Sequence, residues 1–371
     1  MAAIPRVAGM VVVKVGTSSI TDASGALVPS SIERLCRQVA DLRARGLPVL
    51  VVTSGAISAG LPVLGLAEPR PRDPALLQAV SAVGQGRLFS AYERALAALG
   101  LIAGQVLLAP LDFVHRQQYL HARQTLSLLL DLGVVPVINE NDAIADDEIR
   151  FGDNDRLAAL VAHLMSADLL ILLTDTAGLY TGDPRRDAQA SLIEEIVEVD
   201  KQIEALAGGT GTGRGSGGMA SKLAAAKIAA WSGVRAVIAS ADRPDVLAEA
   251  VDGRPGVGTV FVPRPQRLPA RKLWIAFAIG SSGTVVVDAG ARQALVSRGV
   301  SLLPAGVLRV EGRFRPDDAV EIAGPDGQVF AKGLVRHRAE RLAGLVGRRT
   351  SDLPGDIPRE VVHRDDLVLL P

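Results

Sequence analysis

Six runs, apolar but for Lys14, Gln105, Asp168 and Arg235, constrain this chain most: Met10 to Val15, Pro48 to Val52, Gly104 to Ala109, Val134 to Ile138, Asp168 to Leu173 and Val234 to Ala239. Each has the length of a strand, and a strand apolar at nearly every position is buried on both faces, as in parallel sheets. Between the runs lie segments with apolar spacing near 3.6 residues and polar starts, such as Ser31 to Arg45, closed by Gly46, and Asp155 to Leu164. Strand alternating with helix predicts an α/β domain: a three-layer sandwich with a mainly parallel central sheet.

The pattern changes near Pro263, and at 371 residues the chain has room for a second domain. The expected division is an α/β domain over 1–263, a linker over 264–277, a small β-barrel-like module over 278–360 and a tail over 361–371. The linker reading rests on Arg264-Pro-Gln-Arg-Leu-Pro-Ala270. The module reading rests on short alternating strands at Gly283 to Asp288, Gly306 to Val310, Ala319 to Ile322 and Gln328 to Phe330, set between Gly, Pro and Asp turns. The Pro- and Asp-rich stretch from Arg349 reads equally as a last strand or an irregular tail.

Charge separates the halves. Net charge is zero overall, yet 17 basic and 12 acidic residues follow Pro263. That surplus is compatible with a polyanion partner but lacks the clustered basic stripe of a nucleic-acid binder. Cys36, the single cysteine, lies in a helical stretch and reads as a structural thiol in a reducing compartment. No apolar run reaches the ~18 residues of a membrane helix, and no charged start precedes a long apolar segment, so a cytosolic protein without membrane association is expected.

Ligands of open α/β sheets bind at the carboxyl ends of the strands. The residues there are polar: Lys14-Val-Gly16-Thr-Ser-Ser19, Thr53-Ser54-Gly55-Ala56, Asn139-Glu140-Asn141-Asp142 and Thr174-Asp175. Lys14 ends an apolar strand, where an ammonium must reach solvent or meet an anion. The segment Gly208 to Lys222 carries seven glycines and runs into a helical pattern, so its amides, the helix start and Lys222 together form a phosphate cradle. It contains no Gly-Lys-Ser or Gly-Lys-Thr and therefore is not a P-loop. Gly213, Gly215 and Gly218 match a dinucleotide pattern, but a helix rather than a strand is predicted before them. The acid- and amide-rich loop Asn139 to Asp155 offers oxygen ligands for an ammonium group and for magnesium. Thr174 to Pro184 can floor a nucleotide base and ribose. His115, His121 and His163 are too irregularly spaced for a metal set.

Taken in order, Lys14-Val-Gly-Thr-Ser, Thr53-Ser-Gly-Ala-Ile, Gln118-Tyr-Leu, Asn139-Glu-Asn-Asp142, Phe151-Gly-Asp-Asn-Asp155, Leu173-Thr-Asp175, Gly178-Leu-Tyr with Asp183-Pro184, and Gly215 to Lys222 resemble the signatures of the amino acid kinases that act on carboxylates, and among them the glutamate 5-kinases. The second module resembles a PUA domain through Ser301-Leu-Leu-Pro-Ala-Gly306 and Val310-Glu-Gly-Arg-Phe314. The resemblance implies ATP-dependent phosphorylation of the L-glutamate side chain, with Mg2+ accompanying ATP. It implies that Lys14 and Lys222 stabilise the transferring phosphoryl group and that Ser54, Gly55, Asp142, Asp153 and Asn154 hold glutamate. The ATP-binding set it implies is Lys14, Gly16, Thr174, Asp175, Ser216, Gly217, Gly218, Met219, Ala220, Ser221 and Lys222. It also implies a homo-oligomer and inhibition by proline, and it admits an RNA partner for the PUA module. Three positions depart from the pattern. His121 stands where Asn is frequent, Ala220 where a hydroxylated or branched residue is frequent, and Asp317-Asp318 where Gly-Asp is common, which weakens the RNA expectation more than the fold. Two rival readings are a related kinase for another carboxylate or phosphate acceptor, and an RNA-binding scaffold with a retired kinase domain.

Overall fold

The structure, a computed structural model, describes residues 7–22, 24–67, 70–113, 115–144, 154–184, 187, 189–207, 218–349, 351, 353 and 357–370. The chain divides into two compact units, Met1–Arg267 and Leu268–Pro371.

The first unit is built on strands β1 (Val11–Val15), β2 (Val49–Val52), β3 (Ala103–Leu108), β4 (Val135–Glu140), β5 (Leu169–Thr174), β6 (Glu195–Ile196), β7 (Arg235–Ser240) and β8 (Thr259–Phe261). Their order is β3-β4-β2-β1-β5-β7-β8-β6, and every neighbouring pair is parallel except β7 with β8. The six apolar runs are β1 to β5 and β7. Strands β6 and β8, two and three residues long, are too short to show a period.

Side chains alternate across the sheet. Val11, Val13 and Val15 pack with Ile32, Val39 and Leu42 of the helix Pro29–Ala44, with Leu88 and Tyr92 of the helix Pro74–Ala97, and with Val246 and Leu247 of the helix Val246–Asp252. Val12 and Lys14 therefore face the opposite layer, where the helices Asn154–Leu164 and Met219–Trp231 pack on each other. Pro29 opens its helix at a position that needs no amide donor, and Gly46, at φ +80°, lets the chain turn out after Arg45. One expectation is corrected: β3 is not buried on both faces. It is the sheet edge, with Gln105 and Leu107 exposed, because a strand with a single neighbour is only half covered.

The second unit carries β9 (Gly283–Val287), β10 (Val307–Gly312), β11 (Ala319–Ala323), β12 (Val329–Val335) and β13 (Val362–Leu369) in the order β10-β9-β11-β12-β13. Neighbours are antiparallel except β9 with β11. Its core holds Val285, Val287, Val320, Ile322, Phe330, Val335 and Leu367. The expected tail over 361–371 is instead a strand: β13 pairs with β12 and buries Val362, Leu367 and Val368. The expected linker is also structured. Arg264 lies 4.0 Å from the Trp231 ring centroid and pairs with Glu198 at 2.7 Å, while Arg267 donates to the Ser232 carbonyl at 2.6 Å. From Leu268 onward the chain belongs to the second unit, where Leu273 and Ile275 are buried and Arg271 meets Asp366 at 2.6 Å.

Candidate active site

The carboxyl ends of β1, β2, β4 and β5 lie side by side, so the polar residues that follow them share one edge of the sheet. Lys14, the fourth residue of β1, is 3% exposed. Its ammonium pairs with Asp155, the second residue of the helix Asn154–Leu164. Lys222, in the first turn of the helix Met219–Trp231 and also buried, reaches the other oxygen of the same carboxylate at 3.1 Å. Ser221 Oγ lies 2.9 Å from that second oxygen and 3.0 Å from the Gly218 carbonyl, its single proton shared between the two acceptors. Two buried ammonium groups thus converge on one fully buried carboxylate. The two ammonium groups lie beside the start of a helix, whose partial positive charge favours an anion there.

Gly16 borders this cluster. A methyl group there would sit 3.7 Å from the Lys14 nitrogen, in the space an anion needs. Gly55 has φ +104°, a left-handed conformation that glycine adopts without strain, and it caps the short helix Ala56–Gly60. Ser54 beside it is joined to Asn154, whose side-chain nitrogen lies 3.0 Å from Ser54 Oγ, 2.8 Å from the Thr53 carbonyl and 2.8 Å from Asn139 Oδ1, so that its two protons are shared among three acceptors. The oxygen of that amide, Asn154 Oδ1, is buried and has no hydrogen-bond partner among the described residues. Thr53 is anchored from behind by Tyr92, whose hydroxyl lies 2.9 Å from Thr53 Oγ1.

Asp142 follows β4 in a turn. Burial raises its carboxyl from 3.8 to about 6, so removal from water dominates over any nearby positive charge. Thr174 ends β5 and is buried, with its hydroxyl donating to Asp175 at 3.1 Å, and Asp175 itself is exposed. Gly218 caps the helix Met219–Trp231, whose first turn contains Met219, Ala220, Ser221 and Lys222. Ser221 holds Asp155 through its side chain, a contact that expectation did not include. The turn after Thr174 is anchored on β8, since Leu179 is buried and its amide donates to Thr259 Oγ1 at 2.8 Å.

The structure therefore brings Lys14, Gly16, Ser54, Asn154, Gly218, Ser221 and Lys222 into one connected cluster. Gly55 and Thr174 lie on its strand-end rim, and Asp142 lies further along the same edge. Asp153, Ser216 and Gly217 lie outside the described residues. Asp155, read from the sequence as the end of the acid- and amide-rich loop and the start of a helix, is the carboxylate that the structure places between Lys14 and Lys222. The signal available was the need of two buried lysines for a shared counter-charge, with a carboxylate opening an apolar helix. Among the described residues no three His, Cys, Asp or Glu side chains group to hold a metal ion. The described helices include none long and apolar enough to cross a membrane.

A mostly parallel sheet of this order, with two buried lysines on one carboxylate at the strand ends and a Gly218-capped helix start beside them, defines an α/β fold with an anion-binding edge. Residues 9–240 match the amino acid kinase family and residues 283–354 match the PUA domain, so the chain belongs to the amino acid kinase family and carries a PUA domain. Its full-length relatives include the glutamate 5-kinase of Pelobacter propionicus, 45% identical with 97% of each chain covered. Another is the glutamate 5-kinase of Myxococcus xanthus, 47% identical with 98% of this chain and 97% of that one covered. Among solved structures, carbamate kinase from Giardia lamblia bound to AMP-PNP shares the fold at a TM-score of 0.50 and 17% identity, over 70% of this chain and 99% of that one.

Proposed function

We propose that this kinase phosphorylates the side-chain carboxylate of L-glutamate with ATP, giving L-glutamyl 5-phosphate and ADP as the first step of proline synthesis in the cytoplasm. The observation that carries the reading is the pairing of Lys14 and Lys222 on Asp155 at the strand ends, in a chain whose full-length relatives are glutamate 5-kinases.

The acceptor carboxylate is ionised at neutral pH, so no general base is required. A carboxylate oxygen attacks the γ-phosphorus in line, the bond from phosphorus to the bridging oxygen breaks, and its electron pair leaves with ADP. What the protein supplies is position and positive charge. Lys14 and Lys222 face the phosphoryl oxygens, held apart and oriented by Asp155. Ser54, Gly55, Asp142, Asp153 and Asn154 hold glutamate. In this assignment Asn154 accepts from the ammonium group through Oδ1, because its amide nitrogen is already engaged. Gly16, Thr174, Asp175 and the segment Ser216 to Lys222 hold ATP. Magnesium, which favours oxygen ligands and keeps few protein ones, would enter bound to ATP and neutralise charge on its phosphates.

A homo-oligomer is supported by the sheet edge. Leu120 and Leu128, eight residues apart on the helix Arg116–Asp131, are exposed, as are Leu132 and Ile102 beside the edge strand β3. Inhibition by proline and an RNA partner for the PUA domain remain readings from the family alone.

The test is ADP release from purified protein with Mg2+ and ATP across glutamate, aspartate, N-acetylglutamate and UMP, with hydroxylamine present to trap an acyl phosphate as a hydroxamate. Release and trapped hydroxamate with glutamate alone are expected. Turnover of another acceptor discards the substrate assignment, and silence across the panel in folded protein discards the kinase reading.

A further inference from the structure

Behind the pocket that holds Asn154 lies a chain of three side-chain amides whose direction follows from one fixed point. The Thr53 carbonyl can only accept, so the Asn154 atom 2.8 Å from it is the nitrogen. That nitrogen also lies 2.8 Å from Asn139, so the facing Asn139 atom is its oxygen. Asn139, only 1% exposed, is thereby left with its nitrogen turned the other way, toward Gln85 Oε1 at 2.6 Å. Gln85 supplies the acceptor that closes the chain.

The placement of Gln85 is built in. It sits on the helix Pro74–Ala97 next to Gly84, where a methyl group would come within 1.8 Å of the Ala56 carbonyl, so this helix lies directly against Ala56–Gly60. Tyr92, two turns after Gln85 and on the same helix face, makes the Thr53 contact. One helix thus braces the site at two points, Thr53 and Asn139.

We propose that Gln85 is a positioning residue for acceptor binding: through Asn139 it holds the Asn154 amide with its nitrogen against the protein and its oxygen toward the substrate. Without an acceptor at position 85 the buried Asn139 nitrogen loses its partner. Asn139 then rotates to satisfy it, which takes one of three acceptors from the Asn154 nitrogen and leaves that amide on the Thr53 carbonyl and Ser54 alone. The inference rests on the reading that Asn154 binds the amino-acid substrate.

The experiment compares Gln85→Met with Gln85→Glu. Met preserves length and helix preference but accepts no hydrogen bond of this strength, while Glu keeps a side-chain oxygen for Asn139. The expected result for Gln85→Met is a rise of about tenfold or more in KM for glutamate, within the cost of an unpaired buried donor, with KM for ATP unchanged and kcat within about threefold. Gln85→Glu is expected to keep the wild-type KM. The proposal is overturned if Gln85→Met binds glutamate normally, or if Gln85→Glu loses as much as Gln85→Met, which would make the Gln85 nitrogen the functional atom. It is also overturned if KM for ATP rises in parallel, the mark of general disorder. A crystal structure of the Gln85→Met protein gives a readout that needs no substrate: Asn139 is expected to turn away from Asn154, and an unmoved Asn139 refutes the relay. Wild-type turnover of glutamate tests the substrate assignment separately.

Discussion

Replacing Asp142 with Asn is expected to stabilise the folded protein and weaken its grip on the acceptor. Burial raises the carboxyl from 3.8 to about 6, so the folded protein holds this proton more tightly than the unfolded chain does. The sign follows: the contribution of Asp142 to stability is fully present below pH ~4 and is lost as pH rises through 6. At pH 8 the ionised carboxylate costs the empty site about 3 kcal/mol at most, at 1.36 kcal/mol per pKa unit, and roughly 1 to 3 kcal/mol once relaxation is allowed. Asn removes the charge, so Tm should rise by a few degrees at pH 8, at roughly 2 to 4 °C per kcal/mol, and by nothing at pH ~4. The same charge is what an ammonium group would meet. Its loss should raise KM for glutamate by about tenfold to a hundredfold, the range for a hydrogen bond to a charged group. In wild type, kcat/KM should fall as pH drops through 6, and in Asp142→Asn it should be flat there. Scanning fluorimetry from pH ~4 to 8 with initial rates over the same range reads both effects. A variant no more stable than wild type at pH 8, or one with unchanged KM, refutes the assignment of a strained, substrate-facing carboxylate.

Three further outcomes follow from the site and its supports. Lys14→Ala or Lys222→Ala should lower kcat by about two or more orders of magnitude in steady-state assays, the cost of an electrostatic donor; near-full turnover in either variant removes that lysine from the mechanism. Asp155→Asn should cost about 3 to 5 kcal/mol in urea unfolding, because it removes a buried carboxylate that pairs with both Lys14 and Lys222. Gly84→Ala should destabilise the protein by more than about 2 kcal/mol and raise KM for glutamate, since a methyl group 1.8 Å from the Ala56 carbonyl must push the helix bearing Gln85 away; wild-type stability in urea would show the contact to be loose.

The parallel strands were legible because their signal is local: an apolar stretch such as Leu169 to Leu173 needs no partner to be recognised, and β1, β2, β4 and β5 begin and end within a residue or two of their runs. The candidate site residues were read from those boundaries, because ligands of open α/β sheets bind at the carboxyl ends of the strands. Asp155 was not legible in the same way. Its meaning depends on Lys14, 141 positions earlier, and Lys222, 67 positions later, and nothing in the helix it opens distinguishes it from an ordinary acidic first turn. Gln85 is silent for the same reason: its partner Asn139 is 54 residues away. Strand β13 was ambiguous because His363 to Asp366 interrupts its apolar pattern, and Asp366 is buried only because Arg271 and Arg336 meet it.

The adjacency of Asn154 and Asp155 ties the two halves of the site together. Consecutive residues on a helix point about 100° apart. At this helix start the first side chain turns toward β2 and β4, where Ser54 and Asn139 lie, and the second toward β1 and Lys222. One rigid element therefore sets the distance between the acceptor pocket and the phosphoryl pocket, and its following residues, Leu157 to Ala162, are buried and leave it little room to shift. In the proposed reaction, in-line transfer without a general base depends on that distance more than on any one group, because a misplacement of about 1 Å is enough to cost a hundredfold in rate. On the proposed function, binding and catalysis are separable by residue but not by element: Asn154 and Gln85 would govern affinity, Asp155 would orient the lysines, and the helix that carries both Asn154 and Asp155 would set whether the two substrates meet.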